Sequence, residues 1–274
     1  MHGGETLSRI SLMTLIQAFI LGFLQGLTEF FPVSSSAHVK LAKLWLGLEG
    51  SESQVIFDLV CHLGTLVAVL YFLKNEVIAM LRTERRKLFM LFLATLPLIP
   101  CYFVLGPLRH FASETRYLGL CLMLTSGILF LGQRWRLKRK PAPSKRREIG
   151  DVLWIGTLQS AALIPGVSRS ASTISCASVL GWSAPQAVRF SFLLSIPTII
   201  GGNCLELLKI AVSQESVVHF SPAACMIGFI VSCSVGLLVI RYAMAILEKG
   251  RFQPFAWYCL VLGVVVTWLF NFGN

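Results

Sequence analysis

Long apolar runs separated by short charged loops dominate the chain. Six of them are long enough to cross a hydrocarbon layer roughly 30 Å thick as helices. They are Val55–Leu73, Leu88–Leu108, Tyr117–Gln133, Pro185–Leu208, Pro222–Ile240 and Pro254–Phe272. Two further regions are apolar runs that break into Pro, Ser and small residues and then resume as a short second arm. The first runs from about Ser8 to Leu48 and breaks at Pro32-Val33-Ser34-Ser35-Ser36. The second runs from about Asp151 to Trp182 and breaks at Pro165-Gly166-Val167-Ser168-Arg169-Ser170.

The two broken regions repeat one another. A shift of 134 residues lays Gly22, Leu24, Gln25, Val33, Ser34, Ser36 and Ala37 on Gly156, Leu158, Gln159, Val167, Ser168, Ser170 and Ala171. Apolar helices match by chance at Leu, Val and Ala; matches at Gln, Ser and Gly in register point to duplication. The pattern predicts one membrane domain over 1–274, with a first repeat at about 8–133, a basic linker at 134–150 and a second repeat at about 151–273.

Charge in the loops orients the spans. Lys74–Lys87 holds five Lys or Arg, Arg134–Arg147 eight and Arg241–Arg251 three. Arg109–Arg116 holds two and Ala211–Ser221 none. The richer loops belong on the cytoplasmic side, and the run Arg134–Arg147 is placed to touch anionic headgroups. The six spans alternate correctly only if each broken region enters and leaves on one side, the first from outside and the second from the cytoplasm. The expected fold is therefore an all-α polytopic membrane protein: six full transmembrane helices plus two re-entrant helical hairpins in an inverted-topology repeat. In that plan broken helices meet near the midplane and build a site there.

Composition agrees: 55% of residues are hydrophobic and 14% charged, against roughly 25% charged in a soluble domain. The net charge of +11 sits mostly in loops, which argues against nucleic-acid binding. The eight cysteines form no CxxC pair and lie within apolar stretches, so they read as small buried hydrophobes rather than zinc ligands or disulfides. The apolar run Ile10–Leu24 lacks a basic leader, and no cleaved signal peptide is expected.

The chemistry lies at the breaks. Gln25 and Glu29 are four apart and share a helix face, and a carboxylate within an apolar helix marks a functional site by default. Ser34, Ser35 and Ser36 offer hydroxyl donors and a nucleophile, and His38 a base near neutral pH; alternatively the serines cap a helix and the histidine packs. In the second break Ser168, Ser170, Ser172 and Thr173 surround Arg169, whose planar fork suits a phosphate. Backbone N–H groups before a helix add to an anion site. A structural bridge between Arg169 and Glu29 is the plainer reading and is compatible with a site awaiting substrate. Two weaker candidates are His62, four positions from Asp58, as support for the site or as packing, and Glu206, placed at the interface.

The segment from Gln25 to His38, QGLTEFFPVSSSAH, resembles the first signature of the bacterial undecaprenyl-diphosphatase family, also called the bacitracin resistance protein. Pro165-Gly166-Val167-Ser168-Arg169-Ser170-Ala171-Ser172-Thr173 resembles its second. Phe57-Asp58 to Gly64-Thr65 and Phe190–Leu194 to Pro197 are similar as well, so the likeness covers nearly the whole chain. Two departures are Gln25, where the motif's first acidic residue stands, which weakens a two-carboxylate metal site, and Ala171-Ser172, where Gly-Ala is more usual.

The resemblance implies hydrolysis of undecaprenyl diphosphate to the monophosphate, which recycles the lipid carrier for peptidoglycan and other cell-wall synthesis and confers bacitracin resistance. Bacitracin would compete for the lipid, not for the protein. It implies a divalent metal, Mg2+ or Ca2+, a multi-pass protein of the bacterial inner membrane and a site open to the outer face; a homodimer is compatible with it. It implies roles for Glu29, Ser34, Ser35, His38, Ser168, Arg169 and Thr173. The expected mechanism has metal at Glu29, Arg169 on the phosphates and Ser35 attacking phosphorus with His38 as base. Gln25, Ser34, Ser36, Ser168, Ser170 and Thr173 would hold substrate. A metal-activated water in place of Ser35 is the alternative route, and a lipid-phosphate transporter or flippase the alternative function.

Overall fold

The computed structural model describes residues 13–48, 52–138, 149–212 and 221–272. The greater part of the basic run Arg134–Arg147 and of the loop Ala211–Ser221 lies outside the described residues. Among the described residues the chain is helical, with no strand.

Six helical stretches meet the length and apolarity needed to cross a membrane: Gln54–Phe72, Arg85–Val104, Thr115–Lys138, Ala184–Val212, Pro222–Leu247 and Gln253–Phe272. They coincide with the six expected spans, but most run past the ends of the apolar stretches. Apolarity tracks the hydrocarbon layer, whereas a helix continues into the headgroup zone on Arg and Lys, whose long stems reach back to water. The second span is not one helix. It divides into α5 (Arg85–Thr95) and α6 (Leu98–Val104), and α7 (Gly106–Ala112) follows. Pro97, Pro100 and Pro107 each lack the N–H that an uninterrupted helix needs.

The broken regions are pairs of short helices. The first pair is α1 (Leu15–Thr28) and α2 (Ser35–Trp45). The second is α9 (Ile149–Gln159), extended by a 3₁₀ turn at Ser160–Leu163, and α10 (Arg169–Val179). At about 1.5 Å per residue none of the four reaches the roughly 30 Å of a hydrocarbon core. The remaining helices are α3 (Glu52–Phe72), α4 (Lys74–Arg82), α8 (Leu118–Lys138), α11 (Ala184–Val212), α12 (Pro222–Leu247) and α13 (Gln253–Phe272).

Polarity is distributed inside out. Large apolar side chains such as Trp257, Val261, Trp268 and Phe272 face outward on α13, while Gln25, Glu29, Ser168, Ser172, Thr173 and Ser191 are buried. In lipid that is the favourable arrangement, because the polar groups must find partners within the protein. Every residue of α10 from Ser170 to Ser178 is buried. Small side chains permit this: a Cβ added at Gly132 of α8 would lie 2.6 Å from Ser175 Oγ.

The short pairs are seated crosswise. α1 packs on α12 and α9 on α5, while α3 packs on α12 and α11 on α5. Each short pair thus rests on a span from the other half of the chain. The close approaches match residue for residue. A Cβ at Gly22 would lie 2.9 Å from Gly228 O, and a Cβ at Gly156 would run into Ala94 O. Gly22 and Gly156 are 134 apart, and so are Ala94 and Gly228.

Candidate functional site

Each break turns the chain into a helix N-terminus. Ser34 caps α2 by accepting from Ala37 N, and Ser168 caps α10 by accepting from Ala171 N. The hydroxyls of Ser34 and Ser36 lie 3.2 Å apart, as do those of Ser168 and Ser170. The two tips also touch: Gly166 N donates to Ser36 Oγ at 3.4 Å and Ser170 Oγ to Phe31 O at 3.1 Å. Capping, the plainer reading of these serines, is therefore part of what Ser34 and Ser168 do. The two tips differ in strain. Ser34 has φ 69°, the one positive φ at a non-glycine position among the described residues, a conformation that clusters at functional sites. Ser168 has an ordinary φ of −74°.

Glu29 stands at the C-cap of α1 and gathers the charged and polar groups of both tips. Arg169 Nη2 donates to its Oε1 at 2.8 Å. Ser35 Oγ donates to its Oε2 at 2.7 Å and Gln25 Nε2 to the same oxygen at 2.9 Å. The side chains of Glu29 and Arg169 are only 7% and 13% exposed, so this is a buried ion pair 140 residues apart in sequence. The guanidinium is also braced by Ser191 O at 3.3 Å. Thr173 and Ser191 share a 2.7 Å hydroxyl contact behind it.

A cavity of about 200 Å³ opens on this cluster. Its wall includes Glu29, Ser34, Ser35, Ser36, Ser168, Arg169 and Ser170 from the tips, and His62, Leu98, Gln159, Leu163, Thr198 and Ile199 around them. A second chamber of about 490 Å³ shares Ser36 and His62 with it and carries Gln25, Lys40, Lys43 and Asp58.

His38 is not in the first wall. The three-residue spacing from Ser35 pointed to a base for that hydroxyl, but both ring nitrogens are engaged elsewhere. Nδ1 contacts Ser34 O at 2.7 Å and Nε2 contacts Tyr258 OH at 2.7 Å, with the rings stacked. The carbonyl one turn back and a tyrosine from α13 draw the ring away. Gln25 likewise faces the second chamber and reaches the first through Glu29, and Thr173 supports Arg169 from behind.

Several neighbours carried no signal as site residues. Tyr258 sits in an ordinary apolar span, and Ser191 lies in the familial stretch Phe190–Leu194, where nothing singles it out. Gln159 and Thr198 meet only in space, Thr198 Oγ1 lying 3.3 Å from Gln159 Oε1. Gln159 had a faint signal, because it falls on Gln25 in the repeat. His62 bonds the backbone carbonyl of Asp58 at 2.8 Å, not its carboxylate, which pairs with Lys43 at 2.6 Å. Glu206 pairs with Lys209 on the exposed end of α11. Among the described residues no three His, Cys, Asp or Glu side chains cluster as a metal cage.

The chain matches the family described as bacitracin resistance protein BacA over residues 18–265. It is 40% identical over 262 residues to the undecaprenyl-diphosphatase of Protochlamydia amoebophila, covering 94% of this chain and all of that protein. It is 36% identical over 269 residues to the protein of the same name from Pelotomaculum thermopropionicum, covering 93% and 96%. With the undecaprenyl-diphosphatase of Alcanivorax borkumensis it shares 35% identity over 273 residues, covering 94% and 100%. The six apolar spans, the paired serine breaks and these matches together place the chain in the bacitracin resistance protein BacA family of multi-pass membrane proteins.

Proposed function

We propose that this protein removes the terminal phosphate of undecaprenyl diphosphate, returning undecaprenyl phosphate for peptidoglycan and other cell-wall synthesis. The observation that carries the reading is the set Ser35–Glu29–Arg169 at one wall of a cavity formed by two different breaks of the chain. It joins a nucleophile, a carboxylate in contact with that nucleophile's proton and a cation suited to phosphate.

The diphosphate competes with Glu29 for the Arg169 fork and displaces the ion pair. Arg169 then faces charge on the transferring phosphoryl group, where a preorganised cation acts most strongly. Ser35 Oγ attacks the terminal phosphorus, and its proton passes to Glu29 Oε2. The bond to the bridging oxygen breaks and the lipid monophosphate leaves. Water then cleaves the phosphoserine to inorganic phosphate. Phosphoryl transfer has a loose transition state and asks mostly for positioning and charge, so an ionised carboxylate suffices as proton acceptor. His38, held by Ser34 O and Tyr258, fixes the first turn of α2 and with it Ser35.

Mg2+ or Ca2+ fits a donor set of this kind. Mg2+ is commonly held by one or two carboxylates together with substrate phosphates rather than by an all-protein cage, and Glu29 with the Ser34 and Ser36 hydroxyls supplies that share. The metal would neutralise charge on the phosphate oxygens. With Gln25 standing where the motif's first acidic residue would be, Glu29 is the one carboxylate of the cluster.

The matched contacts across the 134-residue shift support a reading as two inverted repeats, 8–133 and 151–273, whose short pairs are re-entrant hairpins. The same reading puts the protein in the bacterial inner membrane with the site open outward. Bacitracin resistance then follows from faster use of the lipid that the antibiotic sequesters, and a homodimer is compatible with the exposed apolar helices.

The test is phosphate release from a long-chain isoprenyl diphosphate by detergent-purified protein, with and without divalent metal, beside Glu29→Ala and Arg169→Ala. Metal-dependent release lost in both variants supports the assignment. No release from folded wild-type protein overturns it in favour of a lipid-phosphate transporter.

A further inference from the structure

Gln159 presents a puzzle that the proposed chemistry does not use. The residue is 1% exposed, it lines the same cavity as Arg169, and its Nε2 is buried with no hydrogen-bond partner among the described residues. A buried donor left unpaired costs the desolvation of that group, and an active cavity is where such a cost is retained. The amide is not loose. Thr198 Oγ1 shares its proton between Leu194 O at 2.7 Å and Gln159 Oε1 at 3.3 Å, and this donation to the amide oxygen turns the NH2 away from α11.

The repeat shows what the amide lacks. Gln25, 134 residues earlier, donates from Nε2 to Glu29 one turn on. The residue in the corresponding place after Gln159 is Leu163, which also lines the cavity. One glutamine therefore has an internal anion and its twin has none. The cavity already offers Arg169 and five serine hydroxyls, a surrounding fit for phosphate oxygens.

We propose that Gln159 is a substrate-binding residue whose Nε2 donates to a non-bridging oxygen of the lipid's diphosphate, the substrate filling the place that Glu29 takes for Gln25. This rests on the cavity being the catalytic site. Thr198 is a positioning residue that fixes the amide.

The test measures phosphate release from an isoprenyl diphosphate, inhibition by inorganic phosphate and the thermal midpoint, for wild type, Gln159→Leu, Gln159→Glu, Thr198→Val and Arg169→Ala. Gln159→Leu is expected to unfold no earlier than wild type, because it removes an unpaired buried donor. Its kcat/KM and its affinity for phosphate should fall roughly ten- to hundredfold, the worth of a hydrogen bond to a charged acceptor. Gln159→Glu should be worse still, since a carboxylate repels the phosphates. Thr198→Val should raise KM more than it lowers kcat. Wild-type kinetics in Gln159→Leu, or loss of activity that only parallels loss of stability, would overturn the assignment. So would Gln159→Glu matching wild type, which would put the amide oxygen, not the NH2, toward the ligand. Full activity in Arg169→Ala would instead remove the cavity itself as the site, and this inference with it.

Discussion

Glu29→Gln keeps the shape of the side chain and deletes its charge. Arg169 would then stand 13% exposed with only Ser191 O and a neutral amide oxygen near it. Breaking a buried ion pair on one side costs about 3–5 kcal/mol, because the other charge is left uncompensated. For a chain of this size each kcal/mol moves the unfolding midpoint by about 2–4 °C, so a fall of roughly 6–20 °C is expected. Arg169→Gln should cost a similar amount by stranding Glu29, whose remaining donors Ser35 and Gln25 are neutral. Glu29→Gln/Arg169→Gln buries no charge and should recover most of the lost midpoint, since replacing both members of a buried pair is often close to neutral. Phosphate release should fall by at least about 10²–10³ in all three, the cost in kcat of removing one transition-state donor. The assay is thermal unfolding in one detergent, followed by tryptophan fluorescence, with phosphate release on the same samples. If the two single losses simply add in the double variant, the residues are not coupled and the ion pair is not what organises the cavity.

Ser35→Ala should leave the fold intact and abolish phosphate release, with no phosphoserine trapped by rapid acid quench; retained release would return the attack to water. Tyr258→Phe removes one of two anchors on His38 and should lower kcat severalfold at most, measured by steady-state kinetics, whereas a loss matching Ser35→Ala would restore His38 to the chemistry. Gly156→Ala drives a methyl into the backbone at Ala94, and because backbone cannot step aside it should cost about 1–3 kcal/mol or more, read as a lower thermal midpoint. Gly127→Ala, where a Cβ meets nothing within 4 Å, is its control and should be silent.

The spans were legible because lipid imposes one strong rule, about twenty apolar residues per crossing. The breaks were legible for the converse reason, since Glu29 and Arg169 had no business in apolar helices without partners. Their pairing with each other followed from charge alone. What did not follow was direction. Spacing put Ser35 and His38 within reach, yet a backbone carbonyl and a tyrosine 220 residues away decide where the ring points. Periodicity likewise could not show that Pro97 divides a span into α5 and α6, since the apolar run continues through it. Gln159 was visible as a repeat of Gln25, but its meaning depends on Leu163 standing where a carboxylate would, which matters only once both line one cavity.

The crosswise seating of the short helices has a consequence for synthesis. α1 is made early, but α12, the span it lies on, begins at Pro222. Until that span has emerged from the ribosome and inserted, the glycine face of α1 has no Gly228 to meet. The first tip also waits for the second, because Ser36 and Phe31 bond to Gly166 and Ser170. The polar cluster at the two tips is thus among the last parts of the molecule to form, and chains halted before α12 should insert their early spans yet release no phosphate. Two separately expressed halves, by the same geometry, could each complete the other.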